Sequence, residues 1–312
     1  MRYVAAFRTY TWDEGVAELA RRFFAATPAA RQVVLADETR GPLGITGYEV
    51  VSHTEDTSKL GLLVYPAGNS LWYNVDYGLY ILRAALPGYD YYLTSESDLA
   101  VNTPLDAVVR EAAARQRDIV AHWMGPATPD WEWSATAAGM FEHSMCSLLF
   151  FMLLSARAID LLFHMRRALT LEFQAGRLAT WPFCEIFVPS LLRQARMNFA
   201  EIGEYVADTQ NLRLRPRLLL SEAAANRPGS LAHSVLARPT YIRAVIKEHP
   251  PRDWFTPASP LRHALREIDL AEYAPALCAA FAQAGDEAGL ARFRQAAQSA
   301  PPGWVMAPNT SI

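Results

Sequence analysis

Cysteine is scarce in this chain: only Cys146, Cys184 and Cys278 occur, far apart, with no Cys-x-x-Cys pair and no ligand-like histidine spacing beside them. That speaks against a zinc site and a disulfide framework, and makes a reducing, cytoplasmic setting the expected one. Surplus positive charge is also missing. Lys and Arg total 29 against 32 Asp and Glu, a formal net charge of −3, and no basic tail is present, so no nucleic-acid partner is expected. The sequence lacks the Gly-rich fingerprint of dinucleotide enzymes and the P-loop of nucleotide kinases, and it has no Gly-x-Ser-x-Gly nucleophile elbow. Long apolar runs are absent too. The most apolar stretch, Met145 to Leu154, is too short to span a bilayer and is followed by Arg157 and Asp160. Met1-Arg2 runs straight into an apparent strand without an apolar leader, and no repeat or low-complexity segment is visible. No transmembrane segment is expected, while contact with the inner face of a membrane stays open.

What is present is enough for a large core: 312 residues, 51% of them hydrophobic and 20% charged. Tyr3 to Phe7 reads as a strand, Thr11-Trp12-Asp13-Glu14 as a helix capping box, and Val16, Leu19, Ala20, Phe23 and Phe24 as one buried helical face. Val33 to Ala36 reads as a second strand ending in Asp37-Glu38. Strand, crossover helix and strand predict a parallel sheet with ligands at the carboxyl ends of its strands. Asp37 stands at such an end, where a carboxylate can accept from a ribose or a base, and an ordinary loop charge fits equally well. The turn Pro66-Ala67-Gly68-Asn69 separates this half from a helix after Trp72-Tyr73-Asn74-Val75-Asp76. Asn74 and Asp76 can either cap that helix or bond a ligand.

The next strand, Asp90 to Thr94, runs into Ser95-Glu96-Ser97-Asp98. Alternate side chains of an extended backbone share a face, so Glu96 and Asp98 can converge on one point. Two hard oxygen donors at a strand end suit Mg²⁺ or Mn²⁺, which fills its remaining positions with water and phosphate. Solvated loop acids that precede the helix opened by Thr103-Pro104 are the competing reading.

This order of elements, roughly Arg2 to Pro250, resembles that of the GT-A class of nucleotide-sugar glycosyltransferases, with Glu96-Ser97-Asp98 in the place of their Asp-x-Asp motif. The resemblance implies a mixed, mainly parallel α/β sheet flanked by helices over 1–258, divided into a nucleotide-binding half (1–102) and an acceptor half (103–258). A C-terminal helical extension follows from 259 to 312, with a frayed end from Ala307. It also implies a nucleotide-diphosphate sugar as donor, a carbohydrate or glycolipid as acceptor, and Mn²⁺ or Mg²⁺ on Glu96 and Asp98; polysaccharide biosynthesis is the setting expected from the Ala- and Arg-rich composition and the lack of targeting signals. Asp37, Asn74 and Asp76 would then help hold the nucleotide. Some metal-dependent members place a late histidine on the metal or diphosphate. His233 and His249 both qualify, and His249 is the expected ligand.

Two further stretches belong to the acceptor side. His122 to Glu142 is a long aromatic loop without period, in which Trp131-Glu132-Trp133 can wall a sugar, or else plug the core. Glu185 is the one carboxylate in the apolar run Trp181 to Pro189. Desolvation raises such a pKa and poises the group for proton transfer, here from an acceptor hydroxyl. No second carboxylate is at hand for a covalent intermediate, so inversion is expected. Arg213, Arg215 and Arg217 read as edge-strand charges. A sugar nucleotidyltransferase and a non-catalytic carbohydrate-binding protein of the same fold are the alternatives.

Overall fold

The computed structural model describes residues 1–65, 69–301 and 303–305. The turn expected at 66–68 and the frayed end from 307 lie outside the described residues. The chain forms two compact units: Met1–Arg215 with Ala223–Val235, and Pro216–Glu222 with Leu236–Ile312.

In the first unit the strands are β1 (Tyr3–Thr9), β2 (Arg31–Asp37), β3 (Val50–His53), β4 (Tyr91–Glu96), β5 (Ala100–Val101), β6 (Ile119–Pro126), β7 (Met145–Ser155), β8 (Phe199–Glu201) and β9 (Asp208–Leu212). Next come β10 (Leu218–Leu219), β11 (Ser230–His233) and β12 (Val235–Leu236), of which β10 belongs to the second unit and β12 falls at the division, Val235 in the first and Leu236 in the second. Its helices are α1 (Glu14–Ala25), α2 (Ser70–Tyr73), α3 (Tyr77–Ala85), α4 (Leu105–Ala114), α5 (Ala156–Gln174) and α6 (Cys184–Gln194).

Seven strands make one sheet in the order β3-β2-β1-β4-β7-β6-β8, in which only β7 runs against its neighbours. The fold is thus the mixed, mainly parallel α/β sheet flanked by helices that the sequence predicts. Strand periodicity divides its two faces. Val4, Ala6, Val33, Leu35, Tyr92, Ile119 and Ala121 share a core with Tyr77, Leu79, Ile159, Leu162 and Phe187 from α3, α5 and α6. On the other side Phe7 meets Phe23 and Phe24 of α1, ring centroids 6.1 and 6.3 Å apart. That helix begins at Glu14, and Asp13 caps it by accepting from Val16 N at 2.9 Å, so the predicted Thr11 cap gives way to a residue two positions later. The expected strand Met145–Leu154 is β7, buried along its whole length because it has paired strands on both edges and packed side chains on both faces.

A second, three-stranded sheet, β5-β11-β9, positions the site. β11 runs antiparallel to β5, with Leu231 opposite Val101 and Ala232 opposite Ala100, and parallel to β9. The segment following β4 is therefore stitched to residues far along the chain.

The second unit holds α7 (Arg238–Glu248), α8 (Pro260–Leu265), α9 (Leu270–Gln283) and α10 (Glu287–Ser299). They close on Trp254, Tyr273, Leu277, Phe281 and Phe293, and α7 contributes Tyr241, Ile242, Val245 and Ile246 to the same core. Among the described residues, no helix is long and apolar enough to cross a membrane.

Candidate functional site

The site lies at the carboxyl ends of β1 and β4. Glu96 is the last residue of β4, and Asp98 follows in the turn toward β5. Pairing of β5 with β11 brings His233 to them, and the backbone N–H of Val235 donates to the Asp98 carbonyl at 2.7 Å. One potential ligand atom from each of Glu96, Asp98 and His233 falls within 4.8 Å of the others, the group among the described residues whose chemistry suits a cation.

Each of the three side chains is held from behind. His233 Nδ1 lies 3.2 Å from the Arg213 carbonyl, which can only accept, so Nδ1 carries a proton and Nε2 faces the carboxylates. Nε2 is 3.3 Å from Asp98 Oδ1 and 3.5 Å from Glu96 Oε2, yet it is buried without a well-formed hydrogen bond. Phe150 stacks on the imidazole, centroids 4.1 Å apart at 16°, and fixes its plane. Asp98 Oδ2 accepts from the Ser234 hydroxyl. Glu96 Oε1 lies 3.2 Å from Arg8 Nη2, which also donates to the Leu149 carbonyl at 2.9 Å.

The charges are coupled. Burial pulls the His233 pKa down, but the Asp98 charge and the hydrogen-bonding reach of Asp98 and Glu96 outweigh it and push the imidazole up to about 10. Two carboxylates and an imidazole Nε2 oriented by a carbonyl form an O,O,N donor set that fits Mn²⁺ well and Mg²⁺ less readily. Binding an ion there requires His233 to release its second proton. Glu185, in the first turn of α6, is half-buried. Burial first and the Glu96 charge second raise its pKa to about 8, against a hydrogen bond from the Leu149 backbone and the His233 charge. Arg8 has its pKa lowered by burial, with Glu96, Cys184 and Asp98 working the other way.

The other sequence candidates fall in different places. Asp37 ends β2, pairs in register with His53 of β3, and ties its own turn by accepting from Thr39 N at 3.0 Å and Thr39 Oγ1 at 2.5 Å. The structure redirects Asn74 and Asp76 from the nucleotide to the fold. Both are wholly buried. Asn74 donates to the Ser70 carbonyl at 2.9 Å and accepts from Trp181 Nε1 at 2.7 Å. Asp76 receives Arg166 at 2.8 and 3.0 Å and the Tyr80 hydroxyl at 2.6 Å. Trp133 stacks on Phe183, two residues before Glu185, at 4.0 Å and 20°. Trp131 instead packs edge-on against Trp123 at 5.0 Å. His249 caps the end of α7 in the second unit, and the imidazole drawn to the acidic pair is that of His233. Arg8 escaped the sequence reading. A lone cation at the end of an otherwise apolar first strand was its only signal.

No family model matches this chain, and no curated protein matches it. Solved structures with a similar path include a glycosyltransferase involved in glycosylation of the PBCV-1 major capsid, at TM-score 0.38 and 8% identity over 75% of this chain and 92% of that one. A CMP-2-keto-3-deoxy-manno-octonic acid synthetase complexed with CTP gives 0.37 and 8% over 64% and 89%. Mouse xyloside xylosyltransferase 1 gives 0.37 and 12% over 64% and 85%. At such scores these likenesses carry no weight for activity, and the functional reading rests on the site.

Proposed function

We propose that the protein transfers a sugar from a nucleotide-diphosphate donor to an acceptor hydroxyl, with inversion at the anomeric carbon. The convergence of Glu96, Asp98 and His233 at the carboxyl end of β4 supports the reading most directly. Mn²⁺ or Mg²⁺ on those three side chains would supply positive charge to a diphosphate leaving group. Arg8 adds a fixed cation behind Glu96 and orients that carboxylate. Asp37, with His53 beside it on β3, borders the sheet end where a ribose or base would lie. Glu185 accepts the proton of the acceptor hydroxyl as the glycosidic bond forms. Trp133 and Phe183, stacked just before Glu185, border the acceptor's approach, and Trp131 extends that border.

The test is calorimetric titration of nucleoside diphosphates and nucleotide sugars with and without Mn²⁺. Wild type is expected to bind one of them in a metal-dependent way. Asp98→Asn should weaken that binding about 100-fold, because it removes a charged ligand from a set of three. Binding indifferent to both metal and substitution would sink the metal-assisted reading, and pyrophosphate release from a nucleoside triphosphate would move the assignment to a nucleotidyltransferase. Ser234→Ala provides a milder check. Loss of the hydroxyl that orients Asp98 should cost about 10-fold in Mn²⁺ affinity with little change in fold stability.

A further inference from the structure

Trp123 is placed as few tryptophans are. It has φ +56°, in the left-handed region that bulky side chains avoid, and 53% of its surface is exposed. Its indole gains little burial in return. The conformation is imposed by Glu201, whose two carboxylate oxygens grip the residues on either side: Oε1 lies 2.9 Å from His122 Nδ1, and Oε2 accepts from Met124 N at 3.0 Å. Glu201 stays ionised for this purpose. Burial would raise its pKa, but the hydrogen bonds from His122, Met124 and Trp123 hold it below the usual range. Residues in such strained positions persist where the surroundings over-determine them, and they concentrate at ligand sites.

A second, independent observation lies next to the first. Trp131 packs against Trp123 with ring planes at 66°, and its Nε1–H is buried with no acceptor among the described residues. A buried indole N–H ordinarily finds a partner, and this one has none among the described residues, so the Trp123–Trp131 pair is held by ring packing alone. Glu132, the next residue, is close enough for its charge to raise the pKa of Glu185. The loop that carries Trp131 is therefore near that carboxylate.

We infer that Trp123 is a stacking platform for a pyranose ring of the acceptor. An exposed indole face offers the apolar side of a sugar ring a large, rigid surface, and the backbone that Glu201 fixes sets its angle. Glu201, which touches no sugar, acts as a positioning residue through His122 and Met124. The assignment rests on the transferase reading only in naming the bound sugar an acceptor.

The test uses the full chain, a panel of methyl β-pyranosides (glucoside, galactoside, mannoside, xyloside and N-acetylglucosaminide) read by saturation-transfer NMR, and the variant Trp123→Gly. Glycine takes positive φ freely, so the variant is expected to keep or raise the melting temperature, whereas an indole that merely packed would lower it on removal. Binding of at least one pyranoside by wild type, weakened tenfold or more in the variant, with Mn²⁺-nucleoside diphosphate binding retained, is the expected result. Loss of pyranoside binding in the variant while neither protein binds nucleotide would still support the platform, and would count against the transferase alone. Equal pyranoside affinity in both proteins, or no pyranoside bound by wild type, would overturn the inference.

Discussion

Replacing Glu185 by Gln should lower the transfer rate by about 10²- to 10⁴-fold while leaving donor affinity nearly unchanged, the range expected when a general base is lost. The residue is suited to that role by its surroundings. Cys184, Ile186 and Phe187 beside it are buried, and desolvation together with the Glu96 charge lifts its pKa to about 8. Only the ionised form can accept a proton. The rate of wild type should therefore climb about tenfold per pH unit below that value and level off above it. Positive charge bound at Glu96 opposes the second of the two causes, so the limb should move to lower pH as Mn²⁺ is added. The sign of the stability effect is opposite to the usual carboxylate case. The folded pKa lies above the unfolded one, so between them the native state binds more protons and stability falls as pH rises. Glu185→Gln removes that penalty, and at pH 8 the variant should be more stable than wild type by about 1 kcal/mol or more. A variant that loses both activity and stability would recast Glu185 as a structural residue. Rate–pH profiles and thermal melts at pH 6 and pH 8 separate the two outcomes.

Arg166→Met should destabilise the first unit by about 3–5 kcal/mol, because it leaves Asp76 buried and charged without its partner. Arg166 and Asp76 are both 0% exposed, and the pair is bidentate. Burial alone would lower the arginine's pKa, but Asp76 outweighs it and raises it. The guanidinium also lies 3.9 Å from the Phe187 ring centroid and donates to the Pro182 carbonyl at 2.9 Å, joining α5 to both sides of the α6 start. For a unit of this size the loss corresponds to a fall of roughly 6–20 °C in melting temperature. The double substitution Asp76→Leu with Arg166→Met should recover much of it, since replacing both members of a buried pair by apolar groups is often neutral or better. Denaturant titration of wild type, Arg166→Met, Asp76→Leu and the double variant measures the coupling directly. A single Arg166→Met variant as stable as wild type would show that the pair's desolvation cost cancels its attraction.

The sequence made local features easy to read and distant partnerships hard. The βαβ start, the crossover helix face and the acidic pair after β4 are all set by residues within a few positions of one another. The raised pKa of Glu185 was legible because an apolar run is drawn into the core and takes its one carboxylate out of water with it. Asn74 and Asp76 were misplaced because a polar helix start looks the same in sequence whether it faces a ligand or a buried arginine; Arg166, which decides the matter, lies 90 residues from Asp76. His249 was preferred over His233 for the same reason. Their difference is a strand pairing, β5 with β11, that no local pattern announces. Arg8 was invisible because its meaning comes from Glu96 across a parallel ladder.

That same pairing has a consequence for the chain as it is being made. Asp98 and Ser234 are 136 positions apart, and the imidazole next to Ser234 leaves the ribosome long after the acidic pair has emerged. A nascent chain that has completed β4 carries two neighbouring carboxylates and no third ligand, so its hold on divalent ions is that of an ordinary acidic turn. Only when β11 docks do the three side chains come together. On the proposed reading, cation capture would be a late event in biogenesis, timed by the arrival of a four-residue strand.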